Sequence, residues 1–314
     1  MALGLLRAGA VLAFCGAGFL VGAELGDPFP PEASARLRAI GPTGDLPETL
    51  RRAVEPGPGF RPLPAPESGD WLAVHAERGQ TFAGYARSGP NRVDARRSEL
   101  RVQPFGPGAP VPELARLAEY VERFFGLETR VDAPFAPRDS DLALRPGGVP
   151  DGGFQAHASA LLRVVESRLP ERAYAAIAVT ATDLYPDPDW RFVFGQASLR
   201  SRAGVMSLAR LGPLDRRENF RRAMKLATHE LGHTFGLVHC VFFACLMNGS
   251  NSLDEMDRKP MHLCPVCLRK LWHAAPFDPV ERYRGLLGYY RVALCDAEAA
   301  WAEARLREIA EPRR

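Results

Sequence analysis

The 314-residue sequence lacks a strong excess of either charge, a long apolar segment and an internal repeat. Because 40 basic residues nearly balance 37 acidic ones, no polyanionic partner is suggested, and we predict that the protein does not bind nucleic acid. The main apolar run, Ala8 to Ala23, is too short and too rich in glycine and alanine to predict a stable membrane span. Apolar residues at 46% and charged residues at 25% are typical of a folded, enzyme-sized globular protein.

The amino-terminal run has the features of a secretory signal. Arg7 precedes it, and it ends in Val21-Gly22-Ala23, which resembles a cleavage site made of small residues. We therefore predict a signal peptide at residues 1–23 and export to the periplasm or the medium. A buried amino-terminal helix in a cytoplasmic protein is the alternative.

Proline and glycine are frequent, with 28 and 29 residues, and many of them precede Val111. We therefore predict that residues 24–96 form a loop-rich extension that lies over the catalytic part. Only two short elements are indicated in it, around Arg36 to Ile40 and Trp71 to His75. The catalytic domain is predicted at residues 97–290, and a helical tail at residues 291–314.

Apolar periodicity within residues 97–290 predicts an α/β fold. Leu100 to Pro104 alternates like a strand, and Glu113 to Phe125 has one apolar helical face. Ala175 to Thr182 is nearly all apolar, as expected for a central strand covered on both faces. The other predicted elements are strands at Leu127–Val131, Phe192–Leu199 and Gly204–Ala209, and helices at Ala156–Leu169, at Asn219–Gly236 and after Asp278.

The strongest pattern lies at the end of the helix predicted at Asn219–Gly236 and reads HELGHTFGLVH. His229 and His233 are four residues apart, so both imidazoles project from one helical face and can reach a single metal ion. Gly236 can adopt a left-handed conformation that ends the helix, and His239 can then return as a third ligand. We predict a catalytic zinc on these three histidines.

Glu230 has a separate chemical role in this pattern. It is adjacent to His229 but offset from the ligand face, so it is placed to act as general base on a zinc-activated water. An isolated His-Glu-x-x-His occurs by chance in many helices, whereas the extended pattern is the known signature of metzincins. A purely structural interpretation would leave Glu230 and the glycine after the helix unexplained.

A second cluster consists of four cysteines that follow directly. Cys240, Cys245, Cys264 and Cys267 have the short paired spacings typical of a closed tetrahedral zinc site. Such a site would be structural. Two disulfides are the alternative, above all if the protein is exported. A nucleic-acid-binding knuckle is disfavoured because no basic cluster surrounds these residues.

The residues from His229 to Cys267 resemble the archaemetzincins, a family in which a four-cysteine cluster with an intervening methionine follows the metzincin helix. The resemblance covers residues 97–287 and includes Asp183 to Pro186 and Phe192 to Leu199. It implies a metzincin-like zincin fold with a mixed twisted sheet and a small C-terminal subdomain. It also implies two zinc ions per chain, and Met247 as a residue that supports the catalytic site without binding metal.

The resemblance further implies a zinc metallopeptidase that acts on peptide or protein substrates, with aminopeptidase-like action on short peptides in some members. By analogy with other metzincins, Phe192 to Leu199 would pair with bound peptide; an ordinary core strand is the alternative. Tyr185 is a candidate substrate contact, although packing is the more common role of such an aromatic. The alternative function is a non-catalytic, zinc-stabilised peptide-binding module. The remaining histidines are predicted not to be ligands: His75, His157, His262 and His273.

Overall fold

The computed structural model describes residues 30–106, 111–149 and 153–310. The predicted signal peptide lies outside these ranges. Among the described residues, no helix has the length and hydropathy that a membrane span requires.

Eight strands and twelve helices are described. The strands are β1 (Glu99–Phe105), β2 (Thr129–Val131), β3 (Arg145–Pro146), β4 (Phe154–His157), β5 (Ala173–Thr180), β6 (Asp183–Tyr185), β7 (Gly195–Ala197) and β8 (Ala203–Ser207). The helices are α1 (Ala33–Ile40), α2 (Glu48–Ala53), α3 (Trp71–Val74), α4 (Phe82–Arg87), α5 (Val111–Phe125), α6 (Asp139–Leu142), α7 (Ala158–Ser167), α8 (Arg217–Thr234), α9 (Leu253–Arg258), α10 (Pro265–Ala274), α11 (Pro279–Val292) and α12 (Asp296–Ala310).

The main sheet is mixed and has five strands in the order β2-β1-β5-β8-β7. All neighbours are parallel except the edge strand β7, which is antiparallel to β8. Strand β5 is central and wholly buried, as the apolar run predicted. A smaller sheet has the order β3-β4-β6. The predicted α/β architecture with a mixed sheet is therefore confirmed.

Strand β5 divides the interior into two cores, because successive side chains of a strand point to opposite faces. Ala175, Ile177 and Val179 belong to the core that also contains the inner faces of α5 and α8. Ala176 and Ala178 belong to the core formed with α7. Helix α8, which carries His229 and His233, thus lies on one face of the sheet, next to the edge strand β7.

Several element boundaries differ from the prediction, and two of these differences change the local structure. Helix α7 does not begin at Ala156, because Phe154–His157 pairs with β3 and β6 as strand β4. The helix begins after His157, whose Nδ1 accepts a hydrogen bond from the amide of Ala160 at 3.2 Å. The strand predicted at Phe192–Leu199 pairs with β8 only over Gly195–Ala197, since Val193 forms an isolated bridge to Leu184 instead.

The extension is more structured than its proline and glycine content indicates. Four short helices, α1 to α4, form in it, and side chains from α1, α2 and α4 enter the main core. The Tyr85 hydroxyl donates a hydrogen bond to the carbonyl oxygen of Phe235 at 2.8 Å, at the end of α8. The buried guanidinium of Arg305 in α12 donates to the carbonyl oxygen of Ala53 at 3.1 Å. The extension therefore packs as part of the folded body.

A pair of leucine substitutions tests this packing. Leu50 in α2 is fully buried, whereas Leu37 in α1 is 58% exposed. Leu50→Ala should lower the free energy of unfolding by about 2–5 kcal/mol because it leaves a cavity. The control Leu37→Ala should change it by about 0.5 kcal/mol or less. Denaturant unfolding measures both, and equal small effects would contradict a packed extension.

Candidate active site and metal centres

The active-site helix brings its two histidines together. The Nε2 atoms of His229 and His233 are 3.2 Å apart, and both residues are buried. Helix α8 ends at Thr234, and Gly236 has a φ of 82°, the left-handed conformation that its position predicted. The chain then turns back towards the helix. The ring centroid of His239 lies 5.3 Å from that of His229 and 5.2 Å from that of His233.

A hydrogen bond at Nδ1 orients each of the three imidazoles. The Nδ1 of His229 lies 2.9 Å from the carbonyl oxygen of Leu246, and that of His233 lies 2.6 Å from the carbonyl oxygen of Leu237. The Nδ1 of His239 lies 2.8 Å from Oε1 of Glu77. Because these oxygens accept, each Nδ1 carries the proton and each Nε2 keeps a lone pair for a metal ion.

The donor set fits zinc. One ligand atom from each of the three histidines lies within 4.8 Å of the others. Two nitrogens bound at about 2.0–2.1 Å to a tetrahedral zinc would be about 3.4 Å apart, close to the observed separation of the two Nε2 atoms on α8. Burial lowers the pKa of His229 well below its ordinary value and that of His233 to about 3. Both rings are therefore neutral at pH 7, as metal ligands must be.

The carboxylate of Glu230 is almost fully enclosed beside the histidines. It is 3% exposed, and its Oε2 has no hydrogen-bond partner. Burial raises the pKa of Glu230 to about 8, while the positive charge of Lys259 acts in the opposite direction. The enclosure of this side chain therefore favours its neutral form over the carboxylate.

Strand β7 approaches Glu230 so closely that only glycine fits at one position. A Cβ atom on Gly195 would lie 2.7 Å from Oε1 of Glu230 and 2.8 Å from the carbonyl oxygen of Val205. The sequence did not lead us to Gly195, although a glycine inside a strand pattern is a known sign of close approach.

The extension contributes two further residues that the sequence analysis missed. Burial raises the pKa of Glu77, but the hydrogen bonds from His239 and Trp71 and the charges of His239 and His75 together outweigh it, so the pKa lies below its ordinary value. Trp71 packs edge-on against His239, with ring centroids 4.9 Å apart. Because Glu77 is 162 residues from its partner, no local pattern could have indicated this contact.

Met247 lies beneath the helix, in contact with its Gly232. The methionine is fully buried, and a Cβ atom on Gly232 would lie 2.6 Å from its sulfur. Met247 therefore packs against the backbone between His229 and His233.

The four cysteines form a second buried cluster. The Sγ atoms of Cys240 and Cys264 are 3.6 Å apart, and all four sulfurs lie within 4.8 Å of one another. A disulfide requires about 2.05 Å, whereas two sulfurs bound to a tetrahedral zinc are about 3.8 Å apart. The amides of Met247 and Cys264 also point at the sulfur of Cys245, at 3.5 and 3.2 Å. The cluster has the geometry of a metal site.

Comparison with known proteins places the chain in a family. A family model described as peptidase family M54 matches residues 168–273. The chain is 32% identical over 279 residues to archaemetzincin-2 of Mus musculus, and 77% of each chain is covered. The chain belongs to the archaemetzincins. This archaemetzincin is also 30% identical over 285 residues to archaemetzincin-2 of Homo sapiens, with 78% of each chain covered.

Membership confirms the predicted family and identifies the chain as a zinc metallopeptidase. A crystal structure of archaemetzincin from Methanopyrus kandleri matches 58% of this chain and 97% of that chain, at 32% identity and a TM-score of 0.49.

Most of the other candidate residues of this archaemetzincin lie apart from the histidine cluster, and His75 is the exception. The hydroxyl of Tyr185 donates to the carbonyl oxygen of Ala143 at 2.7 Å, so packing accounts for it. His157 caps α7, His262 stacks on Trp301, and His273 packs against aromatic rings. His75 is close to the site, but its ring packs between those of Trp71 and Trp190 and is not part of the histidine cluster.

The close approach of β7 gives a test in this archaemetzincin. Gly195→Ala should displace Glu230 and lower kcat/KM for peptide hydrolysis by about 10- to 100-fold, while zinc content stays unchanged. Gly204→Ala on the adjacent strand is the control, because its Cβ would meet no atom closer than 3.5 Å. Equal activity of the two variants would show that this contact does not position Glu230.

Proposed function

We propose that the protein hydrolyses peptide bonds with Glu230 as general base, at a zinc ion held by His229, His233 and His239. The observation that supports this most directly is the arrangement of three Nδ1-anchored imidazoles around one point, with the unpartnered Oε2 of Glu230 beside it.

The bound zinc would supply a Lewis acid that activates water and polarises the scissile carbonyl. Glu230 would remove a proton from the attacking water and later deliver it to the leaving amine. Burial favours the protonated form of Glu230, and this is the form that would deliver the proton to the leaving amine. The low exposure of the site excludes bulk water, which strengthens each of these interactions.

We further propose that Cys240, Cys245, Cys264 and Cys267 hold a second, structural zinc. This site would connect the loop after α8 to the start of α10, and it would fix Leu246, whose carbonyl oxygen orients His229. Binding energy at the thiolates would thereby stabilise the catalytic site.

Short, extended peptides are the substrates that the surroundings of the site favour. The exposed fractions of Glu230 and the three histidines lie between 3% and 9%, which leaves little room for a folded protein. Strand β7 is an edge strand of the main sheet and lies beside Glu230. A bound peptide would extend this sheet by strand addition. Aminopeptidase-like action on short peptides is consistent with this restricted access.

Replacing the base separates catalysis from simple peptide binding. Glu230→Gln keeps the shape of the side chain, so zinc content should stay at the parental level while kcat falls by about 100-fold or more. Glu218→Gln, at an exposed position in the first turn of the same helix, is the control and should retain activity. Unchanged hydrolysis in Glu230→Gln would reject Glu230 as the base, and no hydrolysis by the parent would favour a binding module.

Metal analysis tests the second site. The parent should contain two zinc ions per chain, and Cys264→Ser should contain one. Cys295→Ser is the control, because this buried thiol lies outside the cluster and should leave both ions bound. One zinc ion in all three proteins would mean that the cysteine cluster does not bind zinc.

A further inference from the structure

One short loop carries parts of both metal sites. It begins at Cys240, directly after His239, and it contains Cys245 and Leu246. Two sulfurs of the cysteine cluster therefore lie on it, together with the carbonyl oxygen of Leu246, which is 2.9 Å from Nδ1 of His229. A change in the path of this loop would disturb ligands of one site and the orientation of a ligand in the other.

The side chain of Asn248 holds this loop together from inside. Asn248 is 7% exposed, and its Oδ1 accepts a hydrogen bond from the amide of Cys245 at 2.7 Å. Its Nδ2 donates to the carbonyl oxygens of Cys240 at 2.7 Å and Phe243 at 3.0 Å. Both hydrogens and the oxygen of the amide group are thus used, and a side-chain amide is the group that supplies two donors and an acceptor in this form. Asn248 thereby joins the backbones of two cysteines of the cluster.

Backbone hydrogen bonds extend this frame to the catalytic side. The amide of Asn248 donates to the carbonyl oxygen of Cys245 at 3.0 Å, which closes a β-turn with Leu246 and Met247 at its centre. The amide of Cys240 donates to the carbonyl oxygen of Met247 at 2.8 Å. The orienting carbonyl of Leu246 is therefore part of a turn that Asn248 fixes.

We propose that Asn248 is a positioning residue for both metal sites, although it binds neither ion. This inference rests on the proposed function, in which the histidines and the cysteines each hold zinc. Polar groups that orient metal ligands are worth about 10- to 100-fold in metal affinity. Loss of the Asn248 side chain should therefore weaken both sites together, whereas loss of an asparagine that only stabilises the fold would weaken neither.

Cobalt(II) titration of the reduced, metal-free protein measures the two sites separately. Cobalt bound by thiolates absorbs strongly in the near ultraviolet through sulfur-to-metal charge transfer, whereas cobalt bound by imidazole nitrogens does not. The thiolate band therefore reports the cysteine site. A competing chelator of known affinity gives the total bound cobalt, and the difference between the two measurements gives the histidine site.

Two substitutions of Asn248 should give the same result. Asn248→Ala removes the three side-chain hydrogen bonds, and Asn248→Leu removes them while it fills a similar volume. Each should lower the affinity for cobalt by about tenfold or more at both sites. Asn219→Ala is the matched control, because Asn219 is 4% exposed and its Nδ2 donates to the carbonyl oxygen of Pro213 at 2.9 Å, in the first turn of α8. It should leave both affinities unchanged.

Breaking the cysteine site tests the connection without a change at Asn248. Cys264→Ser should lower the affinity of the histidine site for cobalt by about tenfold, because the loop that carries Leu246 is then held less firmly. Cys295 lies outside the cluster, so Cys295→Ser should leave this affinity unchanged. This pair of variants decides the inference if the Asn248 variants do not fold.

Three results would overturn the inference: an Asn248 variant that keeps the parental affinity at either site, an equal loss of both affinities in Asn219→Ala, or an unchanged histidine site in Cys264→Ser. No thiolate band in the parent protein would reject the proposed structural zinc, and the inference with it. Peptide hydrolysis is measured separately. Its absence in a parent that binds both ions, together with weakening of both sites in the Asn248 variants, would contradict the peptidase function and leave the role of Asn248 standing.

Discussion

Each of the three buried imidazoles must donate a hydrogen bond from its Nδ1 to an oxygen, and the rest of the site depends on where these oxygens come from. The acceptors come from three separate segments: the carbonyl of Leu237 after the helix, the carbonyl of Leu246 within the cysteine loop, and the carboxylate of Glu77 in the extension. An unsatisfied polar group at this depth would cost a substantial part of the stability of the fold. The turn, the cysteine cluster and the extension are therefore all fixed relative to the active-site helix by the same requirement.

The enclosure that makes these hydrogen bonds necessary also determines the electrostatics of the site. Burial favours the neutral form of an ionisable group, so it raises the pKa of Glu230 and lowers that of Lys259, in both cases to about 8. The two groups have opposite charges and act on each other across one small cavity. The opposite pKa shifts of Glu230 and Lys259 are thus a consequence of burying both side chains beside the histidines.

Much of the fold could be predicted from local sequence patterns. The apolar run predicted at Ala175–Thr182 overlaps the central strand, Ala173–Thr180, because a strand covered on both faces needs apolar residues throughout. The patterns were least informative in the extension, because proline and glycine indicate the backbone conformation of a segment but do not indicate whether it is buried. Leu50 enters the main core from a segment that reads as loop, and Phe154–His157 forms a strand only because a partner strand lies beside it.

The candidate site shows the same division. By itself, the sequence determined that His229, His233 and His239 converge, that Gly236 adopts a left-handed turn and that four cysteines form a cluster, because spacing along a helix or a short loop fixes which of these side chains face each other. Only the tertiary structure decided that Glu77 orients His239, that Gly195 admits Glu230 and that Lys259 faces the same cavity. These residues come from different segments, and their contacts depend on how the extension, the sheet edge and the loop after Met247 pack against α8. Long-range packing of this kind leaves no periodic signal in the chain.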